Sequence, residues 1–337
     1  MDIEFHYYMT HLIALRAGFK KEDALKIAYS SQYTDDNDEE FTIRGGDAPY
    51  NNLISQTSDI QKPQEERLSI YPIFHFCPGT NDEISKYQTL REDGARNPLT
   101  TIPDNSNARR IFADAIKTVD LYRIGIGTHM YGDTFCHRDF SGWKDKSNRI
   151  QLHGFVGELW DAVGPAIGHA LAMHNPDIPP LVWEDTRLTS KYRLKKNKEQ
   201  ILLAAGNIFD FYCELTKPGK EQSDIRNRLL GELSDAIGNE AEIDSTKDSR
   251  DENYNSLLGP DYVKYSERQW FDNAVDEAVD PETVGTSNLR TLTWKQNYMK
   301  SDWFLFQKAV RQHHDVAMNV LKDTFVLMGI EEKILAR

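Results

Sequence analysis

The stretch GTHMYGDTFCHRDFSGW, residues 127–143, places His129, Asp133 and His137 at intervals of four. On an α-helix such residues share a face, with a drift of roughly 40° per step. His129 and Asp133 can then offer an imidazole nitrogen and a carboxylate oxygen to the same divalent cation. His137, two turns from His129, is better placed for a second ion or the edge of the same cluster. Nitrogen and oxygen donors of this kind suit zinc, and also manganese or iron. The competing reading is a pair of core histidines and a hydrogen bond along one helix face.

Further donors are spread along the chain. His6 lies in the first predicted helix, with Asp2 four residues before it. Asp35 and Asp36 close the segment SSQYTDDN. His75 sits between two phenylalanines in YPIFHFCPG, and a buried histidine needs a partner or a metal. His169 lies in AIGHALAMHNPDIPPLVW, with His174 and Asp177 close behind. Other candidates are weaker. His313 and His314 beside Asp315 read as a solvated or core helix face. His153 reads as a loop or helix-start residue that could support a ligand or touch a substrate. His11 reads as a helix-surface or supporting residue, and Cys136 points off the metal face. There is no Walker loop, Gly-x-Gly-x-x-Gly turn or Gly-x-Ser-x-Gly elbow.

The elements that must position these groups read as helices. The opening segment has Ile3, Tyr7, Leu12 and Leu15 near one face and Gly18 placed to end it. A second helix covers KEDALKIAYSS. Residues 37–106 read as long loops with IYPIFHF as a buried crossing, and long loops in a compact domain usually carry function. Residues 107–137 contain no proline and read as one long central helix, with a possible break near Gly125 or Gly127. Residues 154–174 read as a further helix, and 184–236 as two more. Residues 237–260 are polar and read as a mobile loop or linker. The chain closes on a periodic helix. Few strands are predicted, so the expected fold class is all-α, a multi-helix bundle with long loops. Residues 1–183 form the expected metal-site core and 184–337 a helical extension packed on the same domain.

Composition bounds the function. The chain has 337 residues, 39% hydrophobic and 28% charged, with a net charge of −13, so duplex nucleic acid is not an expected partner. A phosphate substrate is still compatible, because bound metal can outweigh the global charge locally. The one Lys/Arg-dense block is KYRLKKNK at 191–198. No stretch approaches the ~20 apolar residues of a membrane span. The opening lacks the basic and apolar regions of a signal peptide. Three widely spaced cysteines do not suggest a disulfide framework. The expected location is the reducing cytoplasm.

The ordered series His6, Asp35, His75, His129-x3-Asp133-x3-His137 and His169 resembles the zinc-dependent phospholipase C and P1 nuclease superfamily. More closely, MDIEFHYYMTHLIALRAGF followed by IAYSSQYTDDN resembles an uncharacterised bacterial family with that opening. The resemblance covers residues 1 to about 183. It implies an all-α fold holding two or three zinc ions. By analogy Asp35, His75, His129 and Asp133 hold one metal, and Asp133 bridges to a second held by His6 and the N-terminal region. His137 and His169 hold the third. Two departures stand out. The superfamily chelates through the free amine of a processed N-terminus, for which Asp2 is the candidate replacement here. The acid position of the family's His-x3-acid pattern, counted from His169, falls on Met173, so His174 or Asp177 must complete the third site. Asp35 is preferred to Asp36 as the bridging carboxylate and as the catalytic base.

The resemblance implies a zinc-dependent phosphoric ester hydrolase acting on a phosphodiester or phosphomonoester, such as a small phosphoester or a phospholipid. Aromatic side chains at 70–76 and Trp143 could line its pocket. The alternatives are a catalytically silent, metal-stabilised helical binding protein, and a protein whose histidines are purely structural.

Overall fold

The first helical residues, Glu4–Met9, wind as a π-helix before regular helix α1, Thr10–Ala17, continues them. Gly18 ends α1 at a φ of 98°, a left-handed conformation that glycine adopts without steric cost. The structure is a computed structural model. It describes the chain except for residues 58, 60–63, 88–90, 95–96, 151–165, 218, 242, 280–289 and 330–337. The helix expected at 154–174 and His153 fall largely or wholly outside the described residues. What is described of that stretch, from 166 onward, is a series of turns and a single 3-10 turn, Ala170–Ala172.

Helix α2 spans Lys21–Asp36, and a single turn, α3, spans Tyr71–Phe74. The long helix expected over 107–137 is two helices, α4 (Ser106–Thr118) and α5 (Leu121–Cys136). The break falls not at Gly125 or Gly127 but ahead of both. Val119 takes a left-handed conformation at φ 57°, and the Asp120 carboxylate accepts hydrogen bonds from the backbone N–H groups of Tyr122 and Arg123. That is an N-cap that restarts the helix in a new direction. Helices α6 (Asn197–Thr216) and α7 (Gln222–Ile237) follow. The predicted linker contains helix α8, Lys247–Leu258, and helix α9, Asp302–Leu327, is the longest described.

Helix α5 is the hub, packing against α2, α4, α6 and α9. One hydrophobic core runs through Ile13, Ile126, Phe209 and Val310 and so joins both halves of the chain. None of the described helices is long and apolar enough to cross a membrane.

The expectation of an all-α fold is overturned: the structure is 59% helix and 10% strand. Strands β1 (Thr42–Arg44), β2 (Tyr50–Asn51), β5 (Val275–Val279) and β6 (Arg290–Trp294) form one mixed sheet in the order β2-β1-β6-β5. Between them in sequence, β3 (Val182–Glu184) and β4 (Leu194–Lys196) pair antiparallel. Strand β1 runs parallel to β6, with Ile43 opposite Leu292. The shortest strands have two or three residues, too few for alternation to register. The segment VDEAV carries Glu and Ala, which favour helix, and becomes a strand because β6 supplies the ladder.

The hub crossing depends on glycine. A Cβ on Gly125 would lie 2.4 Å from Ser30 Cβ and 2.5 Å from the Ile27 carbonyl oxygen of α2. A Cβ on Gly132 would lie 2.7 Å from the Phe5 ring. These two absences let α2 and the N-terminal segment approach the backbone of α5. Replacing Gly125 with alanine is expected to cost about 1–3 kcal/mol by overpacking. Chemical denaturation checks this, and an unchanged midpoint would mean the crossing tolerates a wider spacing.

Candidate metal centre

That close crossing brings donors from five segments to one place. The π-helix supplies His6, the last turn of α2 supplies Asp35, and His75 is the C-cap of α3. Helix α5 supplies His129 and Asp133, with His137 as its C-cap. The turns at 166–177 supply His169 and Asp177. They fall into three groups whose donor atoms lie within 4.8 Å of one another: His6, His129 and Asp133; Asp35, His75 and His129; His137, His169 and Asp177.

The ring nitrogens are sorted by their backbone partners. His129 Nδ1 lies 2.8 Å from the Ser31 carbonyl oxygen, and His75 Nε2 lies 2.8 Å from that of Ser55. His137 Nδ1 lies 3.0 Å from the His75 carbonyl, and His169 Nδ1 lies 2.8 Å from that of Met173. A carbonyl only accepts, so each of these nitrogens carries the hydrogen and the other nitrogen is bare in the neutral ring. The bare nitrogens converge. His75 Nδ1 and His129 Nε2 lie 3.0 Å apart, and both lie 3.2 Å from Asp133 Oδ2. His137 Nε2 faces Asp177 Oδ1 at 3.1 Å. Lone pairs and carboxylate oxygens at such distances repel unless a proton or a metal cation sits among them, and Asp35 and Asp133 outweigh burial to raise the His129 pKa. His6 adds a fully buried ring, stacked on His129 at 3.8 Å, whose Nδ1 makes no hydrogen bond and whose Nε2 faces only Asp133 Oδ1 and, at 4.0 Å, Asp35. An orphaned buried imidazole costs free energy unless it ligates something. The donor set therefore fits divalent cations that accept nitrogen and oxygen ligands.

Both carboxylates divide their oxygens. Asp133 Oδ1 faces His6 at 3.2 Å, while its Oδ2 faces His75 and His129. Asp35 Oδ1 lies 3.7 Å from His75 and 3.6 Å from His129, and its Oδ2 lies 4.0 Å from His6. Each can thus bridge two ions. His129 has one free nitrogen, so it serves one of its two groups at a time.

The Met1 amine joins this cluster. It donates to Asp133 Oδ1 at 2.6 Å, lies 3.3 Å from Asp177 Oδ1, and lies 3.3 Å from His137 Nε2. Burial alone would strip its proton, but Asp133 and Asp177 outweigh burial and hold the proton well above the usual range for an amine. Burial would likewise raise Asp133 and Asp35. Instead His137, the amine, His129 and His6 pull Asp133 well down, and His129, His6 and His75 pull Asp35 down. Both are ionised near neutrality. Burial, His129 and the amine push His6 down to about 3, so its ring is neutral and able to ligate.

The structure does not bring every predicted residue in. Asp2 belongs to none of the three groups: its Oδ1 accepts the Glu4 N–H at 3.1 Å, and the amine one residue earlier lies in the cluster instead. Asp36 also turns away. Its Oδ2 accepts from Gln32 and from the Tyr265 hydroxyl, and burial pushes its pKa up to about 6. Of the two candidates for the third group, His174 is exposed and Asp177 is inside. Phe76 stacks on His137 at 4.6 Å and Trp143 packs against the core. His313 is buried elsewhere, with Nε2 toward the Ile73 carbonyl.

One supporting interaction left no sequence signal. Arg250 of α8 makes paired bonds of 2.8 and 2.6 Å to Glu4 and further bonds to Asp244. The Arg250 and Glu4 side chains are 2% and 0% exposed. This ion pair anchors the π-helix two residues from His6. Arg250→Met leaves Glu4 buried and unpaired, at an expected cost of about 3–5 kcal/mol. The double variant Glu4→Leu with Arg250→Met should recover most of that stability. Denaturation midpoints of the two variants check this, and equal losses in both would show that the pair itself is not the anchor.

Comparison with curated proteins and comparison with solved structures each returned no match. One family model matches, over residues 1–321 of the chain. The protein thus belongs to the family described as "Family of unknown function (DUF6765)".

Proposed function

We propose that this protein is a metal-dependent phosphoesterase of the phospholipase C and P1 nuclease kind, with zinc as the preferred ion, hydrolysing a phosphodiester or phosphomonoester. The observation that carries this reading is the convergence of bare imidazole nitrogens on two carboxylates that each face two ligand groups. The first ion would be held by Asp35, His75, His129 and Asp133. The second would be held by His6 and Asp133, and the third by His137, His169 and Asp177. Such ions, when bound, supply Lewis acidity toward phosphoryl oxygens and acidify water.

The chain's own groups then have distinct tasks. The Ser31, Ser55, His75 and Met173 carbonyls fix the imidazole tautomers, as outer partners of metal ligands do. Asp35 is the one carboxylate of the cluster with an open edge: its side chain is 26% exposed, against 1% for Asp133 and 8% for Asp177. Ionised and accessible, it accepts the proton of the attacking water. The Phe76 ring closes the His137 side against solvent. The accessible edge at Asp35 favours turnover over a closed, purely stabilising site. Cys77, Cys136 and Cys213 are all free and buried, which supports placing the protein in the reducing cytoplasm. The net charge of −13 supports a small phosphoester or lipid headgroup over duplex nucleic acid.

Elemental analysis of the purified protein is expected to find more than one zinc equivalent per chain. The loaded protein should hydrolyse bis(p-nitrophenyl) phosphate or p-nitrophenyl phosphate. Asp133→Asn should lose at least one equivalent and all turnover. Asp35→Asn should lose turnover by roughly 10²-fold or more while keeping most of its metal, the scale typical of a positioned base. Metal without turnover on any phosphoester would favour the silent binding protein, and no metal after reconstitution would end the enzyme reading.

A further inference from the structure

The Lys/Arg-dense segment at 191–198 is not used by the metal centre, yet it folds beside it. The short helix Ser190–Arg193 and β4 carry it, and Lys195 of β4 pairs with Asp139, two residues past His137. On one side of this segment lies a cavity of about 520 Å³. Its lining includes four guanidinium groups, Arg91, Arg149, Arg187 and Arg193, together with Lys146. Two carboxylates, Glu92 and Asp93, share the lining, and each pairs with one of its cations: Asp93 accepts from Arg91 Nε and Nη2 at 2.8 Å, and Glu92 accepts from Arg193 Nη2 at 3.4 Å. In a chain of net charge −13 this is a local reversal of sign, continued in a second concavity of about 200 Å³ lined by Arg138, Lys191, Lys195 and Lys196.

The cations are held in place rather than scattered. The Ser147 carbonyl accepts from Arg91 Nη1 at 2.6 Å and from Arg187 Nη1 at 3.2 Å, so one oxygen ties two guanidinium groups together. Backbone pairing joins their segments, with Glu92 N–H donating to the Arg187 carbonyl at 2.9 Å. Arg187 is buried, fixed by Asp185, and stacked 3.7 Å over the Phe140 ring. Like charges set this close repel one another. Arg187 and Arg91 direct most of their donors to Asp185, Asp93 and backbone carbonyls, so what the lining offers phosphate oxygens is its excess of positive charge, five cations against two carboxylates. The volume is within the range of small-molecule sites and exceeds that of a lone phosphate.

We propose that this cavity is an anion-binding site for a phosphorylated small molecule, separate from the metal centre. It makes no use of the metal ligands, so it stands whether or not the phosphoesterase reading does. If both hold, it receives a second anionic group of the substrate or product. The buried Phe140 ring packs between them, with Arg187 3.7 Å over it and His169 6.0 Å from it.

The test is calorimetric titration of the full-length protein with inorganic phosphate and with pyrophosphate. The comparison variants are Lys146→Ala with Arg149→Ala, whose side chains are exposed, and separately Asp133→Asn. The charge variants should bind roughly tenfold or more weakly, as expected for lost charge-assisted bonds, with an unchanged melting temperature. Asp133→Asn should bind as the parent does. No binding by the parent protein would overturn the proposal. So would unchanged affinity in the charge variants, or loss of binding in Asp133→Asn, which would place the anion at the metal centre.

Discussion

Everything around the cluster depends on one electrostatic constraint: Asp133, 1% exposed, stays ionised at the centre of the molecule. A buried carboxylate without compensation costs several kcal/mol. Here four imidazoles and an amine surround it, each offering either a lone pair or a proton. The amine and Asp177 supply one further compensated pair at the edge. With lone pairs on two bare nitrogens meeting at 3.0 Å, the arrangement is complete only when positive charge occupies the space between them. Metal affinity and folding stability are then two views of the same free energy.

The scaffold reads as a device for holding this charge balance. Gly125 and Gly132 let α2 and the N-terminal segment come close enough to α5 for Asp35 and His6 to reach Asp133. Carbonyls of neighbouring segments, rather than side chains, fix the imidazole orientations. Among the described residues, 184–337 contribute no ligand to the three groups. They do contribute Arg250, which anchors the π-helix through Glu4, and α9, which covers α5. A π-helical segment next to a site is a recurrent feature of functional positions. Here it places both Met1 and His6 against the same carboxylate.

The sequence made part of this legible. The spacing of His129, Asp133 and His137 carried the helix face directly, and His75 stood out as an imidazole between two phenylalanines. Asp177 over His174 could not be read, because the expected helix after His169 is a 3-10 turn ended by Met173 at φ 55°. Helical spacing was therefore no guide to the residues beyond His169. The break at Val119 and Asp120 had a local signal in the capping aspartate, masked by the apolar periodicity on both sides. Arg250 had none, since it lies in a segment that looks merely polar and its partner Glu4 is 246 residues away. The mixed sheet was missed for a related reason: β1 is held by a strand from the far end of the chain, and no local window contains that pairing.

The central claim is that cations occupy the space between these donors. Anomalous-scattering diffraction at the zinc edge, on crystals of the zinc-loaded protein, addresses it most directly. The account predicts anomalous peaks among Asp35, His75, His129 and Asp133 and between His6 and Asp133, with a further peak at His137, His169 and Asp177. A well-ordered cluster with no anomalous peak, its imidazoles joined to the carboxylates by protons alone, would contradict it.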